Sequence, residues 1–197
     1  MEKQVEAVIP TPWGKFQMQA YALDGNDQMP HLALVAENYD PAYPTLVRIH
    51  SECLTGDLFG SKRCDCGEQL ERALELAAAE GGIVLYLRQE GRGIGLINKL
   101  KAYNLQDQGL NTADANVHLG LEIDDRGYEI AVEILKALEV RSIRLLTNNP
   151  DKIKAIEKSG LQLLERVPLL IKPREENIDY LETKKEIMGH LIPPIRK

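Results

Sequence analysis

The sequence predicts an α/β (α+β) fold in which a mixed sheet is layered under helices. Three observations predict it. Up to His50 the chain consists of short apolar runs separated by turn signals. From residue 67 its apolar residues recur at helical spacing. Beyond that helix, strand-like and helix-like segments alternate.

Taken in order, residues 5–9, 15–23 and 31–37 are strands, set apart by Thr11-Pro12-Trp13-Gly14 and Asp24-Gly25-Asn26-Asp27. Residues 45–50 form a further strand that leads directly into the cysteine segment. Leu70, Ala73, Leu74 and Ala77 mark one face of a helix that Gly81-Gly82 ends. Ile83-Val84-Leu85-Tyr86-Leu87 is a near-continuous apolar run, as in a strand covered on both faces. A Gly-rich turn and a helix over residues 96–105 follow. Ile130, Ala131, Ile134, Leu135 and Leu138 mark the next helix, and residues 143–146 a strand. Asn149-Pro150 then starts a helix, with Asn as N-cap and Pro at the first helical position. That helix (151–158), a strand (161–167) and a polar C-terminal helix (175–188) precede a Pro-rich tail. With no repeat, low-complexity tract or linker, a single domain over residues 1–197 is expected.

Composition limits the function classes. A chain of 197 residues buries a core without staples. No apolar stretch approaches the roughly 20 residues of a membrane helix. The N-terminus has no apolar signal-peptide core, so a cytoplasmic location is expected. A net charge of −6 argues against a grip on duplex nucleic acid, which rests on phosphate neutralisation. It leaves room for a small anion held by local cations.

All three cysteines fall between Cys53 and Cys66, a poor disulfide framework and a good metal cluster. Thiolates suit zinc, and three protein ligands plus water describe an open catalytic site. Their charged neighbours (Glu52, Lys62, Arg63, Asp65) argue against three cysteines packed merely as small hydrophobes. Lys62 and Arg63 are expected to stabilise the thiolates. A structural zinc completed by His50 is the alternative at this point.

Other segments carry groups suited to an anion. Arg88-Gln89-Glu90-Gly91-Arg92-Gly93-Ile94-Gly95 lies between a strand and a helix, where glycines let backbone N–H groups approach a phosphate. Plain loop geometry explains such glycines equally well. Lys99 and Lys101 read most simply as a solvated helix face. Thr147 to Lys152 sit at the carboxyl end of a strand, where open α/β sheets bind ligands. Asn149 caps a helix there, which leaves Thr147 and Lys152 free for a ligand. Asp124 and Asp125 precede a helix and read by themselves as partners of its dipole.

Together these segments resemble bacterial GTP cyclohydrolase II, the enzyme that opens the riboflavin pathway. The resemblance runs from Pro10-Thr11-Pro12-Trp13-Gly14 to Met188-Gly189-His190-Leu191. Its most specific stretches are Arg48 to Asp57, Arg63-Cys64-Asp65-Cys66-Gly67, Arg88 to Arg92, Leu105-Gln106-Asp107-Gln108-Gly109 and Leu146 to Pro150. It implies that family's fold and one Zn²⁺ per subunit on Cys53, Cys64 and Cys66. It puts Arg48, Ile49, His50, Ser51 and Glu52 in the first GTP-contacting segment, which makes His50 less suited as a fourth zinc ligand. Gln69, then Glu90, Gly91 and Arg92, then Thr112, Thr147 and Lys152 match further substrate contacts. Asp124 matches a proton acceptor, Arg126 a nucleophile and Tyr103 an active-site tyrosine.

The implied reaction opens the guanine imidazole ring of GTP at C8 and releases formate and pyrophosphate, leaving a nucleoside monophosphate. The resemblance also implies Mg²⁺ with the triphosphate, a homodimer, and no added 3,4-dihydroxy-2-butanone 4-phosphate synthase domain. A covalent Arg126 sits uneasily with a guanidinium, which is protonated at neutral pH. Two rivals stay open. A paralogue would open a purine ring and retain pyrophosphate. A zinc-stabilised nucleic-acid-binding module fits poorly with an acidic chain that is 5% aromatic.

Overall fold

The computed structural model describes residues 1–195. Their backbone divides into two compact units, each assembled from three separate stretches of chain. One comprises residues 1–50, 70–88 and 127–169; the other comprises 51–69, 89–126 and everything from residue 170 on.

The first unit is built on a seven-stranded mixed sheet, as the apolar runs predict. Its strands are β1 (Glu2–Thr11), β2 (Gly14–Ala22), β3 (His31–Ala36), β4 (Thr45–Ser51), β5 (Ile83–Leu87), β6 (Ser142–Leu146) and β7 (Gln162–Val167). Their order is β1-β2-β3-β5-β4-β6-β7. The first three pair antiparallel, and β3 pairs antiparallel with β5. On the other side β4, β6 and β7 run parallel. Register follows the period of two. In β5, Ile83, Leu85 and Leu87 enter one apolar cluster while Val84 enters the other. The same alternation splits Val47 and Ile49 from Leu46 in β4, and Ile143 and Leu145 from Leu146 in β6. A strand covered on both faces is thus what the run 83–87 forms.

Helices supply the two covering layers. Ala73, Leu74 and Ala77, on the helix that begins at Cys66, pack in the cluster on one face. Ala131, Ile134 and Leu135 from one later helix and Ile156 from another pack in the cluster on the other. Each fully buried Leu or Ile contributes about 1.5–3 kcal/mol, so burial of these stripes outweighs the modest intrinsic propensity of short helices. The helix α2 (Cys66–Glu80) ends where predicted, because Gly81 takes φ +70° and a side chain there would meet the Asn38 carbonyl at 2.7 Å. The helices α5 (Glu129–Ala137) and α6 (Pro150–Lys158) also match their periodic patterns.

In the second unit, α1 (Leu54–Asp57) is a single turn after Cys53, and α3 (Gly95–Gln106) follows the Gly-rich segment. Two features differ from expectation. The helix α4 (Thr112–His118) has no apolar stripe to announce it; Asn111 starts it by accepting from the N–H groups of Ala113 and Asp114. The C-terminal helix is shorter than predicted, a 3₁₀ turn over Glu175–Asn177 leading into α7 (Ile178–Glu186). It is also less polar in its contacts, since Leu181 and Thr183 are buried. The tail has no helix or strand as far as residue 195, and its last two residues lie outside the described ones.

Asn149 holds the start of α6 from both ends of its amide. Its Oδ1 accepts from the Asp151 N–H at 2.7 Å, and its Nδ2 donates to the Tyr128 hydroxyl at 3.2 Å. Replacing Asn149 with Ala removes the cap and leaves the buried Tyr128 hydroxyl without this donor. We expect a loss of about 1–2 kcal/mol, read as a lower midpoint in chemical denaturation.

Candidate active site

The second unit brings the three cysteines together. Cys53 precedes α1, Cys64 lies in the following turn, and Cys66 opens α2. Their sulfurs all lie within 4.8 Å of one another, and Cys53 Sγ is 3.7 Å from Cys64 Sγ. Four ligands at about 2.3 Å from a tetrahedral zinc stand roughly 3.8 Å apart, so the spacing fits a metal and not a disulfide. The local backbone is shaped around the sulfurs. A Cβ on Gly56 would stand 2.8 Å from Cys64 Sγ and 3.2 Å from Cys53 Sγ, and one on Gly67 would collide with the Gly56 carbonyl. The donor set and the glycine cradle both fit a thiophilic ion. Among the described residues, the potential metal ligands that converge in this way are these three cysteines, without His50.

Cys53 and Cys64 are buried, against the expectation that charged neighbours keep them out of the interior. What surrounds them is polar rather than apolar. Hydrogen bonds from the Cys64 and Cys66 thiols, with Lys99 beyond them, hold the Cys53 thiol far below its ordinary range. The same bonding to Cys53 pushes Cys64 up to about 11 and Cys66 well above the usual value. Of the three thiols, Cys53 is thus the one whose surroundings most favour negative charge.

The cation opposite that charge is Lys99, which sequence reasoning placed on a solvated face. Lys99 is 9% exposed, and its Nζ donates to Cys53 Sγ at 3.1 Å and to Glu90 Oε1 at 2.7 Å. Burial alone lowers a lysine pKa, yet the Cys53 thiolate and Glu90 overcome it and hold the ammonium above its usual range. One signal could have found it: Lys99 lies one helical turn before Tyr103 and so shares its face. Lys101, by contrast, is exposed as expected. Nor do Lys62 and Arg63 serve the thiolates. Lys62 pairs with Glu176, and Arg63 reaches Asp107 at 2.7 Å and covers the Tyr103 ring.

Glu90 binds protein groups from three directions. Besides Lys99, it accepts from the Leu54 N–H at 2.6 Å and from its neighbour Gly91 N–H at 2.7 Å. The Gly91 amide is therefore engaged, not presented as part of a phosphate cradle. The backbone here is left-handed at Gly91 and at Arg92, with φ of 62° and 63°. A non-glycine residue in that region marks a locally constrained turn. Arg92 has Nη1 and Nη2 sealed from solvent without a hydrogen-bond partner among the described residues, and its guanidinium lies 5.6 Å from the Tyr180 ring centre.

Tyr103 sits between cations, with Arg63 at 5.0 Å and Lys99 at 5.9 Å from its ring centre. Burial raises its phenol above the usual value, against opposing effects from Lys99 and a hydrogen bond with Thr55. It stays protonated near neutral pH and can donate. Ser51 donates to Gln89 at 2.9 Å, and Gln69 donates to Asp65 at 2.6 Å. Glu52 is half-buried, and Thr112 is the first residue of α4.

Asp124 binds Arg126 rather than a helix terminus. Its carboxylate accepts Arg126 Nε at 2.7 Å, the Arg126 backbone N–H at 3.2 Å, and Nη2 in a close ion pair. Desolvation pushes the Asp124 pKa up, but the hydrogen bonds and charge of Arg126, then the charge of Arg92, bring it below its ordinary 3.8. A carboxyl whose folded pKa is depressed stabilises the fold above the unfolded value and loses that contribution as pH falls through the folded one. The stability gap between the parent chain and Asp124→Asn is therefore expected to be constant well above pH 3.8 and to shrink below it. Thermal melts taken across that range measure it.

The remaining sequence-predicted residues lie in the first unit. Arg48 is buried in β4, donating to the Leu146 carbonyl at 3.2 Å and approaching His50 Nδ1 at 3.4 Å. His50 stacks on Tyr86 with ring centres 5.5 Å apart. The Ile49 side chain is core, and its carbonyl accepts Lys152 Nζ at 2.8 Å. Thr147 and Lys152 were expected to be free, and both are buried and engaged. The Thr147 hydroxyl accepts from the Asn149 N–H at 3.0 Å, and Lys152 also lies over the Tyr128 ring.

Comparison with known proteins adds the family. The GTP cyclohydrolase II family pattern matches residues 2–168. GTP cyclohydrolase-2 of Neisseria meningitidis is 51% identical over 93% of this chain and 93% of its own length. That of Buchnera aphidicola subsp. Schizaphis graminum is 49% identical over 96% and 97%. Riboflavin biosynthesis protein RibBA of Chlorobium phaeovibrioides is 52% identical over 98% of this chain, which spans only 47% of that protein. The crystal structure of RibBX, a two-domain 3,4-dihydroxy-2-butanone 4-phosphate synthase from A. baumannii, is 20% identical with a TM-score of 0.50, over 86% of this chain and 40% of that one. At that identity the likeness is one of fold. With its family pattern over most of its length and relatives of about half identity over nearly all of theirs, the chain belongs to the GTP cyclohydrolase II family of hydrolases.

Proposed function

We propose that the chain hydrolyses GTP as the first step toward riboflavin, breaking both bonds to guanine C8 with release of formate and one phosphoanhydride bond with release of pyrophosphate. The observation that carries the reading is the convergence of three cysteine sulfurs around a glycine cradle, inside a GTP cyclohydrolase II chain. Cys53, Cys64 and Cys66 are the residues that would hold zinc. When bound, that ion supplies Lewis-acid polarisation and an activated water at neutral pH.

The chain's own side chains divide the remaining work. Lys99 donates to the Cys53 sulfur and disperses its negative charge, and Glu90 keeps Lys99 oriented. Tyr103, protonated and seated by two cations, donates a hydrogen bond at the guanine end. Arg92 has Nη1 and Nη2 without a hydrogen-bond partner among the described residues, as suits a site that receives an anion. Arg126 contributes fixed positive charge toward the triphosphate, together with Mg²⁺. Asp124 orients it through a bidentate pair.

For Arg126 this geometry favours electrostatics over covalency. A carboxylate with a depressed pKa is a weaker base than usual, and pairing strengthens the protonated state of the guanidinium. Within the first unit, Arg48, Thr147 and Lys152 are proposed to fix the backbone of β4 and the start of α6, since their polar atoms already bond protein groups.

Incubation with GTP, followed by separate assays for formate and pyrophosphate, tests the reading. Both products are expected in equal amounts. Formate alone would support a paralogue that retains the triphosphate, and neither product would end the proposal. Cys64→Ser is expected to lose zinc and formate release together, measured by metal content and product assay. Arg126→Lys keeps charge but loses the fork, and we expect pyrophosphate release to fall about 100-fold. Isolation of a phosphoramidate on Arg126 would overturn the electrostatic role, and undiminished activity in Arg126→Ala would exclude both roles.

A further inference from the structure

The C-terminal helix α7 lies beyond residue 168, where the family pattern ends. One of its side chains nevertheless reaches the cysteine turn. Asp65, set between two of the three cysteines, is 5% exposed. A carboxylate so buried must be met by a cation, because an unpaired buried charge is strongly destabilising. The cation is Lys184 of α7, whose Nζ donates to Asp65 Oδ1 at 2.8 Å with a side chain 12% exposed. Gln69 occupies the other carboxylate oxygen from the first turn of α2. Carboxylate and ammonium thus meet across a sequence separation of 119 residues, at the residue that joins Cys64 to Cys66 in the chain.

A second side chain of α7 works in the same direction. Tyr180 is one turn before Lys184, on the same face. Lys184 Nζ lies 4.4 Å from its ring centre, and the Arg92 guanidinium lies 5.6 Å from it. The aromatic face thus lies against a guanidinium whose Nη1 and Nη2 have no hydrogen-bond partner among the described residues. Arg174, just ahead of the helix, pairs with Glu68 at the start of α2. The pair between Lys62 and Glu176 is exposed and contributes little. Burial separates the contacts that matter from those that do not.

From these contacts we propose that α7 is a positioning element of the active site: Lys184 fixes the Cys64-Asp65-Cys66 turn through Asp65, and Tyr180 seats Arg92. The role of Tyr180 rests on the GTP reading above, whereas that of Lys184 does not. The helix is then a required part of the metal loop's architecture, and not a polar appendage to it.

The test compares full-length variants in two assays that do not depend on turnover. Amide hydrogen exchange of residues 61–69 is followed in the metal-stripped protein, and zinc transfer to a chromogenic chelator in the loaded one. Lys184→Met is expected to speed both about 10-fold, and Lys184→Arg to stay near the parent. If Lys184→Met fails to fold, Lys184→Met/Asp65→Asn removes the unpaired charge and is expected to fold with exchange in 61–69 still faster than in the parent. Parent-like exchange in that double variant, or parent-like exchange and zinc transfer in folded Lys184→Met, would overturn the clamp. Tyr180→Leu is expected to raise KM for GTP several-fold while zinc transfer stays at the parent rate, with Tyr180→Phe unchanged in both. An unchanged KM in Tyr180→Leu would overturn the seat. A parent chain that releases no formate from GTP would count against the proposed function alone, because exchange in 61–69 still decides the role of Lys184.

Discussion

Three sulfur atoms within 4.8 Å of one another, largely out of water, set the constraint that organises the second unit. Sulfurs so placed cannot all ionise in the absence of a metal, and even one thiolate needs a neighbouring positive charge. The chain meets that need with Lys99, drawn from a helix more than forty positions along the sequence. Burying an ammonium is itself costly, so Lys99 requires a counter-charge of its own, and Glu90 supplies it. One buried requirement generates the next.

Glu90 makes that chain of requirements structural. Its second oxygen takes the N–H of Leu54, the residue after the first cysteine, and its first oxygen takes that of Gly91. A single carboxylate thus ties the cysteine loop to the left-handed turn at Gly91 and Arg92. That turn is strained for arginine, and the strain is sustained because its ends are held on both sides: by Glu90 before it and by the Arg92 carbonyl bonded to Asp125 after it. The close approach of Gly93 to the Asp125 carbonyl, 3.1 Å from where a Cβ would stand, and its φ of +94° make a side chain at that bend unfavourable. Arg92 and the Asp124–Arg126 pair are brought into one electrostatic group by this route, as the influence of Arg92 on Asp124 records.

What the sequence made legible follows from period and chemistry. Strands covered on both faces, helices with an apolar stripe and the Asn149-Pro150 start all announce themselves locally. The thiol triad does too, since three soft ligands in fourteen residues have few other uses. The helix α4 was hidden because its seven residues bury Ala113, Ala115 and Asn116, with no stripe of large apolar side chains. Lys99 was hidden because its partner is distant in sequence, and a lysine with a remote buried partner looks like any surface lysine. Proximity misled in the opposite sense for Lys62 and Arg63, which adjoin Cys64 yet turn to Glu176 and Asp107. Thr147 and Lys152 sit at a strand's carboxyl end as ligand-binding groups do, but the Asn149 amide and the Ile49 carbonyl claim them first.

For Arg126 to attack phosphorus, a proton must leave a guanidinium that is firmly protonated at neutral pH, and the carboxylate that accepts from it at hydrogen-bonding distance is that of Asp124. That carboxylate is pulled below its ordinary pKa by the very bonds that would have to carry the proton. The pair is most stable as cation and anion, and each contact that strengthens it widens the gap the transfer must cross. A fixed, fork-shaped cation is what such a pair provides without reorganisation, and charge held in place before reaction is the economical way to stabilise a phosphoryl group in transit. The tighter the Asp124–Arg126 pair, the better the stabiliser and the poorer the nucleophile.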